Sequence, residues 1–216
     1  MRSALLPCLV PILGVVLSGA SLAADEVPEP PPNSLEYFQY GVAIAAETVG
    51  SAADVCPSGA GRVPCILGSG GGLAIRVAYR SRGPWLVGGA YEFSRHDSSN
   101  LLKLAILQQL RAEGRYYADR STRLTPYVGA GAGLALYGPE WGAVTGGAVA
   151  TLGGGLEFQI TQSTVVGCAP MYRAFLLRGF QDSAGQRRAD RYLGFGLAHF
   201  VALELIFEVR EPLPRW

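Results

Sequence analysis

Eleven ionisable side chains fall on one face of runs that alternate in polarity. They are Arg76, Arg80, Lys103, Arg111, Arg115 and Arg173, with Glu92, Glu113, Glu157, Glu204 and Glu208. Charges gathered in this way can neutralise one another as a closed ion-pair network. They can also line a narrow ion path, or shift one another's proton affinities toward acid–base work. No acid–base–nucleophile order runs through the set. The sharpest enzymatic hint lies apart from it, in His96-Asp97-Ser98-Ser99-Asn100. Asp, Ser and Asn are also common turn formers, and the segment sits in a polar connection.

The elements that must position these groups are strands. From Leu102 to Tyr117 the even positions are mostly apolar and end in Tyr116, while the odd positions carry Lys103, Gln109, Arg111, Glu113 and Arg115. This period-2 pattern holds for about 16 residues, against about 5–6 for the usual soluble strand. Such a strand suits a wall between lipid and a polar barrel interior. Seven more strands are expected: Tyr37–Glu47, Gly72–Ser81, Trp85–Arg95, Pro126–Gly138, Gly146–Ile160, Thr164–Leu177 and Arg191–Val209. His96–Asn100 and the charged segment Arg178–Asp190 read as connections. Pro170 lacks a ladder donor, so the strand that holds it is expected to bulge or become irregular. Glycines inside strands, as in Gly129/Gly131/Gly133 and Gly153-Gly154-Gly155, relieve crowding in a small closed barrel. No helix follows either cluster, so a phosphate-cradling loop is not expected.

The first residues point to export. A basic start at Arg2, an apolar run over Leu5–Leu17 and the small residues Ser21-Leu22-Ala23 read as a secretory leader over 1–24. An acidic, proline-rich lead-in over 25–34 follows, and 35–216 is expected to form one barrel domain. Taking Arg2 from the 18 basic residues leaves 17 against 17 acidic ones, so no basic excess invites nucleic acid. The chain is 49% hydrophobic and 16% charged, yet no segment after the leader offers about 18 consecutive apolar residues. Cys56 and Cys65, nine apart in a Gly/Pro/Ser-rich segment, are expected to pair as a disulfide. A metal site would need more ligands than the nearby Asp54. Cys168 reads as a small buried or lipid-facing residue, and His199 as an outward interface residue. No cofactor is expected.

The chain resembles the small outer-membrane β-barrel superfamily, the eight-stranded OmpA/OmpX-type group. The resemblance rests on Thr125-Pro126-Tyr127-Val128-Gly129-Ala130-Gly131-Ala132-Gly133, on Leu152-Gly153-Gly154-Gly155-Leu156-Glu157-Phe158 and on Glu113-Gly114-Arg115-Tyr116-Tyr117. It implies an all-β, eight-stranded antiparallel up-and-down transmembrane barrel, with outer-membrane lipid and the barrel-assembly machinery as partners. Members often end the last strand with a terminal aromatic that the machinery reads; here Phe207 is followed by Glu208–Arg215 and then Trp216. The segment at His96 is also similar to the His-x-Ser-Asn motif of outer-membrane lipid A deacylases. That resemblance would make His96 the base, Ser98 the nucleophile and Glu113 a remote orienter. An extra Ser precedes Asn100, and that family carries its motif late in the chain.

The expectation is therefore a monomeric, integral outer-membrane barrel of structural or surface-interaction type, with a plugged charged interior and no catalysis. A lipid A deacylase-like hydrolase is the alternative. A lipocalin-like carrier is a further one, and it would place Arg111, Glu113 and Arg115 outside.

Overall fold

A computed structural model describes residues 36–52, 54–56, 65–118, 123–140, 142–182, 185, 187–190 and 192–213. The leader over 1–24 and the lead-in over 25–34 lie outside the described residues. Alternation of side chains builds every long element. The strands are β1 (Tyr37–Ser51), β2 (Gly70–Arg80), β3 (Trp85–His96), β4 (Ala105–Tyr117), β5 (Leu124–Pro139), β6 (Thr145–Gln159), β7 (Thr164–Arg178), β8 (Phe180–Gln181), β9 (Arg187–Arg188) and β10 (Phe195–Pro212). In β2, Leu73, Ile75 and Val77 are exposed while Ala74, Arg76 and Arg80 are buried. The same parity runs through the other long strands, apolar outside and mixed inside.

Eight long strands close into one antiparallel barrel in the order β1-β10-β7-β6-β5-β4-β3-β2. The stagger can be followed through directly paired residues. From Tyr37 the circuit passes Arg80, Leu86, Arg115, Gly129, Gly153, Met171 and Ala202, and returns to β1 at Glu47. Every residue on it faces inward. The return lies ten residues along β1, so the strands tilt by roughly 40° for ordinary strand spacings. At that tilt the outward face from Ala148 to Phe158 rises roughly 25 Å.

The interior changes character along the axis. Near the chain termini, Leu86, Tyr117, Tyr127 and Ile206 pack together beside charged groups. At the far end a separate apolar core forms from Leu107, Tyr137, Phe175, Leu177 and Phe200. Val55, Ile66 and Leu67, from the connection after β1, complete it from above. Cys56 and Cys65 are bonded within that connection. Asp54 ties it to the wall, its carboxylate accepting from Leu197 N at 3.3 Å and its carbonyl from Ala189 N at 3.2 Å.

Several elements differ from the sequence expectation. β4 begins at Ala105, not Leu102, and β10 begins at Phe195 and runs on to Pro212. β1 continues past Glu47 to Ser51. His96 is not in a connection but ends β3 as a buried residue. The segment after β7 contains the two-residue hairpin β8–β9, held by Arg188 Nη2 on Asp182 Oδ2 at 2.7 Å. Pro170 interrupts the ladder: β6 and β7 pair at Gly153–Met171 and again at Leu156–Cys168, with no pairs between. The register is unchanged across the gap, so the missing N–H breaks bonds without adding a residue.

Two expected outcomes test this construction. A Cβ at Gly133 would lie 1.9 Å from the Leu110 carbonyl oxygen, whereas at Gly129 its nearest neighbour is 3.4 Å away. Gly133→Ala should lower folding stability by about 1–3 kcal/mol and Gly129→Ala by less than about 0.5 kcal/mol, read from urea unfolding in detergent. Replacing Cys56 and Cys65 together by Ser should cost about 2–3 kcal/mol, the loop-closure entropy of so short a ring, and speed proteolysis of the β1–β2 connection.

Candidate functional site: the charged interior

Alternation on seven strands directs a set of long charged side chains into one narrow space. Arg173 of β7 is fully buried and reaches three carboxylates. It bonds Glu47 of β1, Glu92 of β3 at 2.5 Å and Glu204 of β10 at 2.5 Å. Arg111 of β4 donates to Glu92 at 2.9 Å, to Glu113 at 3.0 Å and to the Gln109 side-chain oxygen at 2.6 Å. Arg76 of β2 pairs with Glu204 and lies 3.4 Å from Glu113. These residues form a cluster at mid-height.

A second cluster lies nearer the chain termini. Arg115 holds Glu157 at 2.9 Å and grips both oxygens of Glu208 at 2.9 and 3.0 Å. This forked geometry is the strong form of an arginine–carboxylate bond. Arg210 donates to Glu157 at 2.7 Å and to the Gln39 oxygen at 3.1 Å, and Gln39 in turn donates to Glu208. Tyr117 donates to Glu157, and the Arg80 guanidinium lies 3.7 Å above the Tyr117 ring. Arg80 also lies 3.5 Å from Glu157. A desolvated cation over an aromatic face adds attraction to the ion pairs. Between the clusters a cavity of about 10 Å³ is lined by Arg76, Glu113, Arg115, Tyr127, Thr151 and Glu204. That is the scale of a single water.

Ten of the eleven residues expected inside are thus brought together: Arg76, Arg80, Glu92, Arg111, Glu113, Arg115, Glu157, Arg173, Glu204 and Glu208. Lys103 is the correction. It is exposed, in the segment before Ala105 where β4 has not begun, so the strand's parity does not reach it. Glu47 and Arg210 were missed although the signal was present. Glu47 continues the inward odd positions of β1, and Arg210 continues the even series from Glu204 and Glu208. With them the interior holds Arg76, Arg80, Arg111, Arg115, Arg173 and Arg210 against Glu47, Glu92, Glu113, Glu157, Glu204 and Glu208.

His96, Ser98 and Glu113 are not brought together. The Nδ1 of His96 bonds the Gly68 carbonyl at 2.9 Å, and its Nε2 faces Ser94 Oγ at 3.0 Å. Glu47 lies 3.0 Å from the same Nε2. A base in a catalytic triad uses opposite ring nitrogens for nucleophile and carboxylate; here serine and carboxylate crowd one nitrogen, and a carbonyl takes the other. Ser98 closes a local turn, donating to Leu102 O at 3.0 Å and accepting from Leu102 N at 3.2 Å. Asp97 accepts from Ser99 N at 2.8 Å, and Ser99 and Asn100 take left-handed φ values of 53° and 64°. Asp97 to Asn100 are built as a turn that follows the strand-end residue His96. Cys168 is exposed on the outward face of β7. His199, also outward, hydrogen-bonds Tyr172 and stacks on its ring.

Comparison with protein-family models gives no match, and neither does comparison with curated protein sequences. Solved structures do match. Neisserial surface protein A is 16% identical, with a TM-score of 0.47, over 82% of this chain and 97% of that one. The outer membrane protein OprG from Pseudomonas aeruginosa is 12% identical, with a TM-score of 0.47, over 85% and 97%. Outer Membrane Protein W of E. coli is 17% identical, with a TM-score of 0.42, over 79% and 96%.

Arg173→Ala should destabilise the barrel by about 3–5 kcal/mol, because it removes the cation that Glu47, Glu92 and Glu204 share in a closed space and leaves Glu47 with the His96 ring alone. Lys103→Ala should change stability by less than about 0.5 kcal/mol. Urea titration of the folded barrel in detergent measures both.

Proposed function

We propose that the chain is a monomeric, integral outer-membrane β-barrel of structural or surface-interaction type, with a plugged interior and no catalytic role. The observation that carries the reading is the division of side chains between the two faces. Outside, Val42, Ile44, Ile75, Val87, Leu134 and Leu152 are each at least 40% exposed around the waist. A soluble protein rarely leaves so continuous an apolar surface in water. The outward band of roughly 25 Å matches the height of an outer-membrane hydrocarbon belt. Phe38, Tyr40, Tyr79, Trp85, Tyr116 and Phe158 ring its terminal end, with Trp85 and Tyr116 packed edge to face at 5.0 Å. Aromatics at that level suit the boundary between lipid and water.

Inside, six arginines meet six glutamates, and the cavity between the clusters has room for about one water. A carrier of the lipocalin kind needs the reverse arrangement and a lumen large enough for its ligand. A deacylase needs His96 and Ser98 in contact, and they are engaged separately. In the proposed orientation the termini and the short β2–β3, β4–β5 and β6–β7 turns face the periplasm. The disulfide-bearing β1–β2 connection and the β8–β9 hairpin face outward. Outer-membrane lipid and the assembly machinery that inserts β10 are the partners this reading requires.

The expressed protein should fractionate with outer membranes and migrate differently in gels with and without boiling; recovery as a soluble periplasmic protein overturns the reading. Purified and added to planar bilayers, it should produce no discrete conductance steps. Regular steps would overturn the plugged interior alone.

A further inference from the structure

A recess lies outside the barrel, where the apolar band ends. It has a volume of about 590 Å³ and is lined by Arg178, Gln181, Arg187, Asp190, Leu193 and Phe195, among others. That volume falls in the range of small-ligand sites. Arg178 and Phe195 are paired neighbours on the outward face of β7 and β10. Following that face from the waist toward the recess, Leu203 and Val201 are exposed and apolar. Next come Tyr172 and His199, hydrogen-bonded to each other, then the apolar pair Leu176 and Leu197, and then Arg178. The apolar band therefore ends on this wall at Leu176 and Leu197, one level below Arg178 and the recess. Above it the turn at Leu193, with a left-handed φ of 49°, holds a fully exposed leucine over the opening.

The charges of the recess favour an anion. Arg178 is exposed and has no carboxylate within 4 Å among the described residues. Arg187 meets Asp190 at 3.0 Å through one guanidinium nitrogen, which leaves its other donors available. The hairpin that carries Arg187 is fixed from beneath by the buried Arg188–Asp182 pair, so this cation does not sit on a loose loop. A planar guanidinium fork matches phosphate oxygens as it matches a carboxylate. Leu193 and Phe195 supply apolar surface beside it, as the first carbons of a lipid would require.

The geometry points to a site for the phosphorylated headgroup of an outer-leaflet glycolipid, held by Arg178 and Arg187 at the membrane boundary. The inference rests on the outer-membrane reading above. The acyl chains descend along the outward face of β7 and β10, past Tyr172 and His199. Asp190 opposes the anion and sets a limit on its affinity.

The test uses the full barrel in detergent, with native mass spectrometry counting retained lipid. Diphosphoryl lipid A should be retained, and its dephosphorylated form should not. Arg178→Ala with Arg187→Ala should lower retention by about tenfold or more, the loss of charged hydrogen bonds. Asp190→Asn should raise it, an opposite change that a damaged fold would not produce. Both variants are compared only as heat-modifiable, folded barrels. Equal retention by wild type and the double arginine variant overturns the inference, as does equal retention of the dephosphorylated lipid. If inorganic phosphate alone binds and competes as well as the lipid, the site reads free phosphate and the lipid assignment falls. A barrel that stays in outer membranes but retains no lipid A defeats this inference alone; a soluble periplasmic protein defeats the reading beneath it.

Discussion

Closure with a ten-residue stagger is the constraint on which the rest of the structure depends. Eight strands at that tilt give a backbone radius of about 8 Å. Long side chains from opposite walls must therefore meet across the axis. Arg173 on β7 reaches β1, β3 and β10 at once because no wall is far away. The space is filled unevenly. Five arginines enter from β2, β4 and β7, and a sixth, Arg210, from β10. The inward positions of β5 between Tyr127 and Ala135 are all glycine. That bare wall makes room for the Arg115 side chain, whose Cγ would lie 3.5 Å from a Cβ at Gly129.

The same constraint separates the interior into zones. Charges gather at mid-height and near the termini, where each has a partner of opposite sign. The far end is a compact apolar core that resembles the centre of a soluble protein more than a channel mouth. Its side chains come from two sources, the strand ends and the β1–β2 connection, so that connection is part of the core. His96 stands at the seam. It faces Glu47 on the charged side, packs edge to face on Phe200 at 5.5 Å, and bonds the Gly68 carbonyl of the connection.

Most of the fold could be read from the sequence because period 2 reports which face a residue takes. Leu102–Tyr117, the longest clean alternation, gave the correct face for Arg111, Glu113 and Arg115. It failed at Lys103 because alternation in sequence persists past the last ladder hydrogen bond, and only pairing stops a strand. Arg210 shows the converse error: an expected end at Val209 falls three residues short of Pro212, although Glu204 and Glu208 already set the parity. The apolar cap was invisible for a different reason. Val55, Ile66 and Leu67 lie in a Gly/Pro/Ser-rich connection with no periodicity, and their burial depends on strands far away in the chain. From sequence His96 reads as part of a connection because its neighbours Asp97 to Asn100 are turn formers, which they are, while the ring itself belongs to the strand before them.

An ion lattice in the lumen also answers a question that an apolar filling could not. In the proposed membrane setting, lipid outside and hydrocarbon inside would make the two faces of every strand alike. A strand that slipped by one residue would then exchange its faces at little cost. With charges on the inner face, the same slip in β4 would turn Arg111, Glu113 and Arg115 outward, leave Glu208 without its arginine and take one arginine each from Glu92 and Glu157. Each buried charge left alone costs several kcal/mol. The network need not add much net stability over well-packed hydrocarbon to be selected by this physics. Its effect is on the alternatives, since every strand that carries one of these charges has a single register in which all of them find partners.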